Sequence, residues 1–186
     1  MTTKILVVCT GNICRSPMGE VVLRSKLAEA GIDAEVDSVG VSAEESGNPI
    51  DRRAQRVLAE HGYEVPRRAA RRVTPQDLAD FDLILAMTVG HARSLRDLAE
   101  RTGADVSKIH LWREYDPKTD LGIAPGGAFG AGGALETDAG EHGYSNFYSS
   151  DGDFDVPDPW YGSADGFYDT LEVVERGADG IIDTLR

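Results

Sequence analysis

The sequence predicts an α/β fold, a parallel sheet with helices on both faces. Three observations carry this. Short β-branched runs alternate with longer stretches of helical periodicity. The first run, Lys4-Ile5-Leu6-Val7-Val8, is nearly all apolar, as in a strand buried on both sides. The loop that follows it at Cys9 is rich in small and reactive residues, and it leaves the carboxyl end of a strand, where open α/β sheets bind ligands.

The elements follow in order. Lys4–Val8 is the first strand. Ser16-Pro17 reads as N-cap and first position of a helix over 17–30; Met18, Val21, Val22 and Leu27 form its apolar face and Gly31 closes it. Ala34–Ser38 is the second strand, followed by a helix over 51–61 and a short one starting at Thr74-Pro75. Leu83–Ala86 is the third strand, 89–102 a helix and Lys108–Trp112 the fourth strand. The last helix, 164–185, aligns Phe167, Leu171, Val174, Ala178, Ile181 and Leu185 on one face. A chain of 186 residues suits one domain, 1–186. Residues 121–154 interrupt the pattern. This glycine-rich acidic insertion holds nine of the 21 glycines and a Tyr144-Ser145-Asn146-Phe147-Tyr148 patch. Its glycines predict a flexible loop, while the aromatic patch argues that some of it docks, as a lid or a partner arm.

Charge is unevenly placed. The net of −13 divides into −1 over residues 1–118 and −12 over 119–186, and no lysine or arginine occurs from Thr119 to Glu175. That balance argues against nucleic acid as a partner. It favours substrates with basic residues near the reacting group. The start of the chain shows no signal peptide, and no apolar span suits a membrane, so a cytoplasmic location is expected; non-classical export leaves no such mark. Two cysteines do not make a disulfide scaffold, and a reducing compartment keeps a reactive thiol intact. The four histidines, His61, His91, His110 and His142, have no ligand spacing, so no metal and no cofactor are expected.

The loop from Cys9 to Ser16 carries the chemistry. Its amides lie near a helix N-terminus, where unpaired N–H groups and the helix dipole bind a dianion. The same field favours a thiolate, which makes Cys9 a candidate nucleophile. Arg15, six residues on, offers a planar fork that matches two phosphoryl oxygens, which a lysine does not. Thr10, Gly11, Asn12, Ile13, Cys14 and Ser16 complete the candidate phosphate site. Gly11 and Asn12 tolerate left-handed backbone, and the Ser16 hydroxyl can donate to the sulfur. Cleaving a phosphate ester also needs an acid for the leaving oxygen. Asp158 sits in the stiff turn Pro157-Asp158-Pro159-Trp160-Tyr161, whose aromatics can line a slot for a phenyl ring. Asp155, Asp116 and Asp120 also lie near prolines or turns, and sequence alone does not separate the four.

Cys9 to Glu20, CTGNICRSPMGE, resembles the signature of the low-molecular-weight protein tyrosine phosphatases. The likeness continues through Asp37-Ser38, Gly47-Asn48-Pro49, Asp51, Ala70-Arg71, Phe81–Met87 and Asp158-Pro159-Trp160-Tyr161-Gly162, nearly the whole chain outside 120–154. It implies a four-stranded parallel sheet of flavodoxin-like order 2-1-3-4. It implies phosphotyrosine hydrolysis through a cysteinyl phosphate, with Cys9 as nucleophile, Arg15 as phosphate clamp and Asp158 as general acid and then base. Trp160 and Tyr161 would line the substrate slot, and Asn12, Ser16 and Ser38 would brace the loop by hydrogen bonds. The expected partners are phosphotyrosine proteins or small aryl phosphates, and the expected state a monomer or weak homo-oligomer. Cys14 stands where the family often has a second cysteine able to form a reversible disulfide with the first; as a residue it reads equally as a small core side chain.

Three positions depart from the pattern. Glu44-Glu45-Ser46 stands where many members have an aromatic wall, Arg68 where some place a histidine that braces the loop asparagine, and Thr88 where aspartate is frequent. They bear on substrate choice more than on chemistry. Three rivals share the scaffold. A thioredoxin-coupled arsenate reductase needs further cysteines near 80–95, where there are none; a thiol-cofactor type does not need the Asp158 turn. An arginine phosphatase has threonine at the place of Ile13. A phosphotyrosine-binding module on a dead scaffold is opposed by intact Cys9, Arg15 and Asp158.

Overall fold

A computed structural model of the chain describes residues 2–138 and 153–186. His142 and the Tyr144–Tyr148 patch lie outside them.

Four parallel strands form one sheet in the order β2-β1-β3-β4, with β1 at Thr3–Cys9, β2 at Ala34–Gly40, β3 at Leu83–Ala86 and β4 at Ile109–Leu111. The order expected from the family likeness is thus the observed one. The central strand β1 runs in register with both neighbours: Val7 faces Ser38 on one side and Leu85 on the other. Strand side chains alternate between faces, and the two cores divide accordingly. Ile5, Val7 and Cys9 point into a core built with α1 (Arg15–Ala30) and α5 (Gly166–Leu185); Leu6 and Val8 point into a second core with α3 (Pro75–Asp80) and α4 (Val89–Thr102). Burial on both faces is why the central strands β1 and β3 read as nearly continuous apolar runs. A further helix, α2 (Arg52–Glu60), packs beside α5.

The helix ends follow local chemistry. Asp51 accepts the Arg53 amide to cap α2, Thr88 accepts the His91 amide to cap α4, and Thr74 and Asp77 form a reciprocal capping box on α3. Thr88, odd against the family pattern, is therefore an ordinary cap. Gly31 closes α1 in the left-handed conformation. The start of α1 differs from the expectation. The helix begins at Arg15, with Cys14 before it and no side-chain cap. Ser16 cannot cap because its hydroxyl is turned back toward Cys9 and the Val39 carbonyl. The first amides of α1 are thereby left to the loop.

Glycine content predicts a loose segment after residue 121, yet residues 121–138 pack. The Ala128 amide donates to Ile109 O at 2.8 Å, covering the open edge of β4, and Ala128 and Leu135 are buried in the second core. Gly127 lets the backbone approach so closely that a Cβ there would lie 2.8 Å from Ser107 O. Arg96 stacks on Phe129 at 4.3 Å, and Arg93 grips Asp138 through two bonds of 2.8 and 3.1 Å. Gly127, Gly130 and Gly133 therefore serve close approach, while Gly122 and Gly132 supply positive φ.

Candidate active site

Cys9 ends β1 and is buried; its sulfur lies 2.9 Å from Ser16 Oγ. The chain then turns through Asn12, which has φ 60°, into α1. Asn12 is fully buried and each side-chain group is partnered. Its Nδ2 donates to Ser16 Oγ and to Ser38 Oγ, both at 2.9 Å. Its Oδ1 accepts the Arg71 amide at 3.1 Å and an Arg68 N–H, and a second Arg68 N–H reaches its backbone carbonyl at 3.0 Å. The Ser38 hydroxyl donates to Glu20 Oε1 at 2.7 Å and accepts from Arg68 at 3.2 Å. Glu20 is buried, paired with Arg24 at 3.1 Å and near Arg68 at 4.0 Å. The loop thus rests on a closed polar network, with a neutral amide between a cation and the hydroxyl that serves the sulfur.

Ser16 has one proton and two acceptors in reach, Cys9 Sγ at 2.9 Å and Val39 O at 3.2 Å. With a thiol at Cys9, the S–H points to Ser16 Oγ and the serine donates to Val39. With a thiolate, rotation of one O–H turns the donor onto the sulfur. Cys14 has different chemistry. Burial pushes its thiol well above the usual range, and the nearby negative charges of Asp51, Cys9 and Asp158 push the same way. The two cysteines are not joined in a disulfide.

Arg15 is buried between the loop and the segment 155–158. Its Nη2 is 3.5 Å from Asp158 Oδ2 and its Nη1 donates to Val156 O at 3.4 Å. The four candidate acids now separate. Asp116 is buried in ion pairs with Arg113 and Arg176. Asp155 is buried and its Oδ1 accepts the Val89 amide at the start of α4, 2.8 Å away. Asp120 is exposed, away from the loop contacts. Asp158 alone faces Arg15, half-exposed, with the Trp160 amide on its Oδ1 at 3.0 Å. Val156 N donates to Met87 O and Arg113 holds Asp155 O, both at 2.8 Å, so this segment is tied to the sheet and to α4. Trp160 is stacked 5.1 Å from the Arg53 guanidinium and is 41% exposed; Tyr161 is 74% exposed on the rim.

Residues Cys9 to Ser16, Ser38 and Asp158 are therefore brought together. Sequence reasoning assigned no part to Glu20, Arg71 or His91. Glu20 lies inside the recognised CTGNICRSPMGE run, four residues after Ser16, and that spacing was the available signal. His91 Nε2 lies 2.7 Å from Thr10 Oγ1, and its Nδ1 is buried without a partner. Burial, and then Arg15, hold the imidazole well below its usual pKa, so it is neutral. Among the described residues no His/Cys/Asp/Glu group could hold a metal, and no helix is long and apolar enough to cross a membrane.

The chain is similar to proteins that are already known. A family model for "Low molecular weight phosphotyrosine protein phosphatase" matches residues 4–125. The chain is 37% identical over 164 residues to a low molecular weight protein-tyrosine-phosphatase of Streptomyces coelicolor, covering 87% of this chain and 80% of that one. It is 38% identical over 122 residues to the human low molecular weight phosphotyrosine protein phosphatase, covering 64% and 77%. Among solved structures, YfkJ from Bacillus subtilis superposes with a TM-score of 0.75 at 28% identity, covering 99% of this chain and 94% of that one. Vibrio vulnificus Wzb, solved with benzylphosphonate, gives 0.72 at 26% identity, with both chains covered in full at 100%.

Proposed function

The chain belongs to the low molecular weight phosphotyrosine protein phosphatase family, and we propose that it hydrolyses phosphotyrosine in two steps through a cysteinyl phosphate. The observation that supports this most is Arg15, held between the Cys9 loop and Asp158. In the first step the Cys9 thiolate attacks phosphorus as the P–O bond to the phenol breaks. Asp158 gives its proton to the leaving phenoxide. In the second step Asp158, now a carboxylate, takes a proton from water; that water attacks phosphorus and the S–P bond breaks. Phosphate leaves and the thiolate is restored. Arg15 and the loop amides hold the equatorial oxygens throughout, so the protein contributes mainly positioning and charge. Ser16, by turning its proton to the sulfur, assists departure of the thiolate in the second step.

Thr10 to Cys14 and Ser16 form the phosphate cradle in this reading, and Trp160 and Tyr161 form the outer wall for the phenyl ring. Asn12, Ser16 and Ser38 brace the cradle. A buried, protonated Cys14 is a poor competitor for the substrate beside Cys9.

The test is turnover of p-nitrophenyl phosphate and of a phosphotyrosine peptide. Cys9→Ser should lose at least about 10⁴-fold in kcat. Asp158→Asn should lose about 10²–10³-fold with phosphotyrosine and less with p-nitrophenyl phosphate, whose leaving group needs less protonation. Equal losses with both substrates would remove Asp158 from the acid role. Full activity of Cys9→Ser would end the covalent mechanism.

A further inference from the structure

Among the described residues, the Glu45 carboxylate at the mouth of the phosphate loop has no cation. Residues 41–51 arch beside the loop and are fastened to it at both ends. The Val41 and Ser42 amides donate to Cys9 O and Thr10 O, and the Asp51 amide donates to Ile13 O, each at 2.9 Å. Glu45 lies on this arch. Its Cγ is 3.0 Å from where a Cβ on Gly11 would stand, so the side chain rests on the loop itself. Asn48 Nδ2 donates to Glu45 Oε2 at 2.6 Å, and the Asn48 amide bonds the Glu45 carbonyl at 2.9 Å. The carboxylate is thus held in place.

Glu44, next to Glu45 on the arch, is exposed and also has no ion pair among the described residues, while the charges deeper in the site are matched. Arg15 faces Asp158 at 3.5 Å, Arg53 holds Asp51 at 3.1 Å, and Glu20 is paired with Arg24. Among the described residues no basic side chain comes within ion-pair distance of Glu45. A fixed, unneutralised carboxylate beside a dianion site opposes the phosphate itself. A cation carried by the substrate next to its phosphotyrosine removes that opposition and gains an attraction.

We propose that Glu45 is a specificity-determining residue that selects phosphotyrosine substrates with a lysine or arginine beside the phosphorylated tyrosine. This rests on the phosphotyrosine phosphatase reading above. The acidic stretch from Thr119 to Glu175, which supplies Asp158 and contains no lysine or arginine, acts in the same sense.

The experiment compares kcat/KM for two matched phosphotyrosine peptides, flanked by lysines or by glutamates, and for p-nitrophenyl phosphate. Wild type and Glu45→Gln are assayed at about 20 mM and about 500 mM salt, since exposed pairs are screened at the higher value. Glutamine keeps an acceptor for Asn48 while removing the charge. Wild type should favour the lysine peptide at low salt. Glu45→Gln should lower its kcat/KM about three-fold, and should raise the glutamate peptide and p-nitrophenyl phosphate about two- to three-fold. A structural effect would lower all three together, and that result overturns the proposal. So does equal use of the two peptides by wild type at low salt. If wild type turns over none of the three, the phosphatase reading itself has failed, which is a different outcome from lost discrimination.

Discussion

Asn12 shows how a buried residue is fixed by its partners. Its left-handed backbone is affordable because four side-chain hydrogen bonds and an Arg68 contact to its carbonyl hold it there. Removing Arg68 strips two donors from Asn12, one from Ser38 and the nearby cation from Glu20. We predict that Arg68→Met lowers unfolding free energy by about 2–3 kcal/mol in urea titrations, more than a surface arginine costs. His91 gives a pH prediction. Its folded pKa lies well below the ordinary 6.5 because burial, and then Arg15, disfavour the cation. The unfolded chain takes up a proton as pH falls through about 6.5 while the folded one does not, so stability present at neutral pH is lost on acidification. The slope approaches about 1.4 kcal/mol per pH unit from this group alone. Urea midpoints between pH 7 and 5.5 should fall in wild type and fall less in His91→Gln; identical slopes would show that His91 is charged when folded. These residue properties were only partly legible. Cys9, Arg15 and the turning Asn12 follow from residue types and spacing, and Arg68 stands where the family likeness places a side chain that braces the asparagine, whereas His91 reaches the loop from 81 positions away with no such mark.

At the scale of elements, α5 shows packing overriding propensity. Gly180 and Gly177 sit inside a helix, where alanine is ordinarily better by about 1 kcal/mol. Here a Cβ on Gly180 would stand 1.7 Å from Tyr115 O, and one on Gly177 would stand 2.2 Å from the Trp112 indole nitrogen. That nitrogen already donates to Val174 O at 3.2 Å. Gly180→Ala is therefore expected to destabilise by about 2 kcal/mol or more, opposite in sign to the helix scale. Thermal unfolding of the variant checks it, and a raised midpoint would refute the close approach. The start of α1 makes the same point. A Ser-Pro pair usually marks a cap, but the pull of Cys9 and Val39 on the Ser16 hydroxyl moves the boundary back to Arg15.

Across the whole molecule, the first turn of α4 joins the two halves of the candidate site. Its Val89 amide is held by Asp155 of the acid segment, and its His91 touches Thr10 of the phosphate loop. The segment 121–138 closes the β4 edge nearby and is clamped by Arg93 and Arg96 on the same helix. Leu135→Ala is expected to cost about 1–3 kcal/mol on unfolding, as a truncation at a core edge does. A cost under about 0.5 kcal/mol would mean that the segment is a loose surface loop.

By itself the sequence determined the alternation of strands and helices, the buried sheet and the Cys9–Arg15 loop, because these depend on periodicity and on spacing over a few residues. Residue types alone left four aspartates open, the family likeness selected Asp158, and the glycines read as mobility. Only the tertiary structure decided how Asp158 meets Arg15, that His91 stands against Thr10 and what the glycines of 121–138 approach. Each depends on contacts between positions far apart in the chain, made by packing against a common sheet, and no local pattern records them.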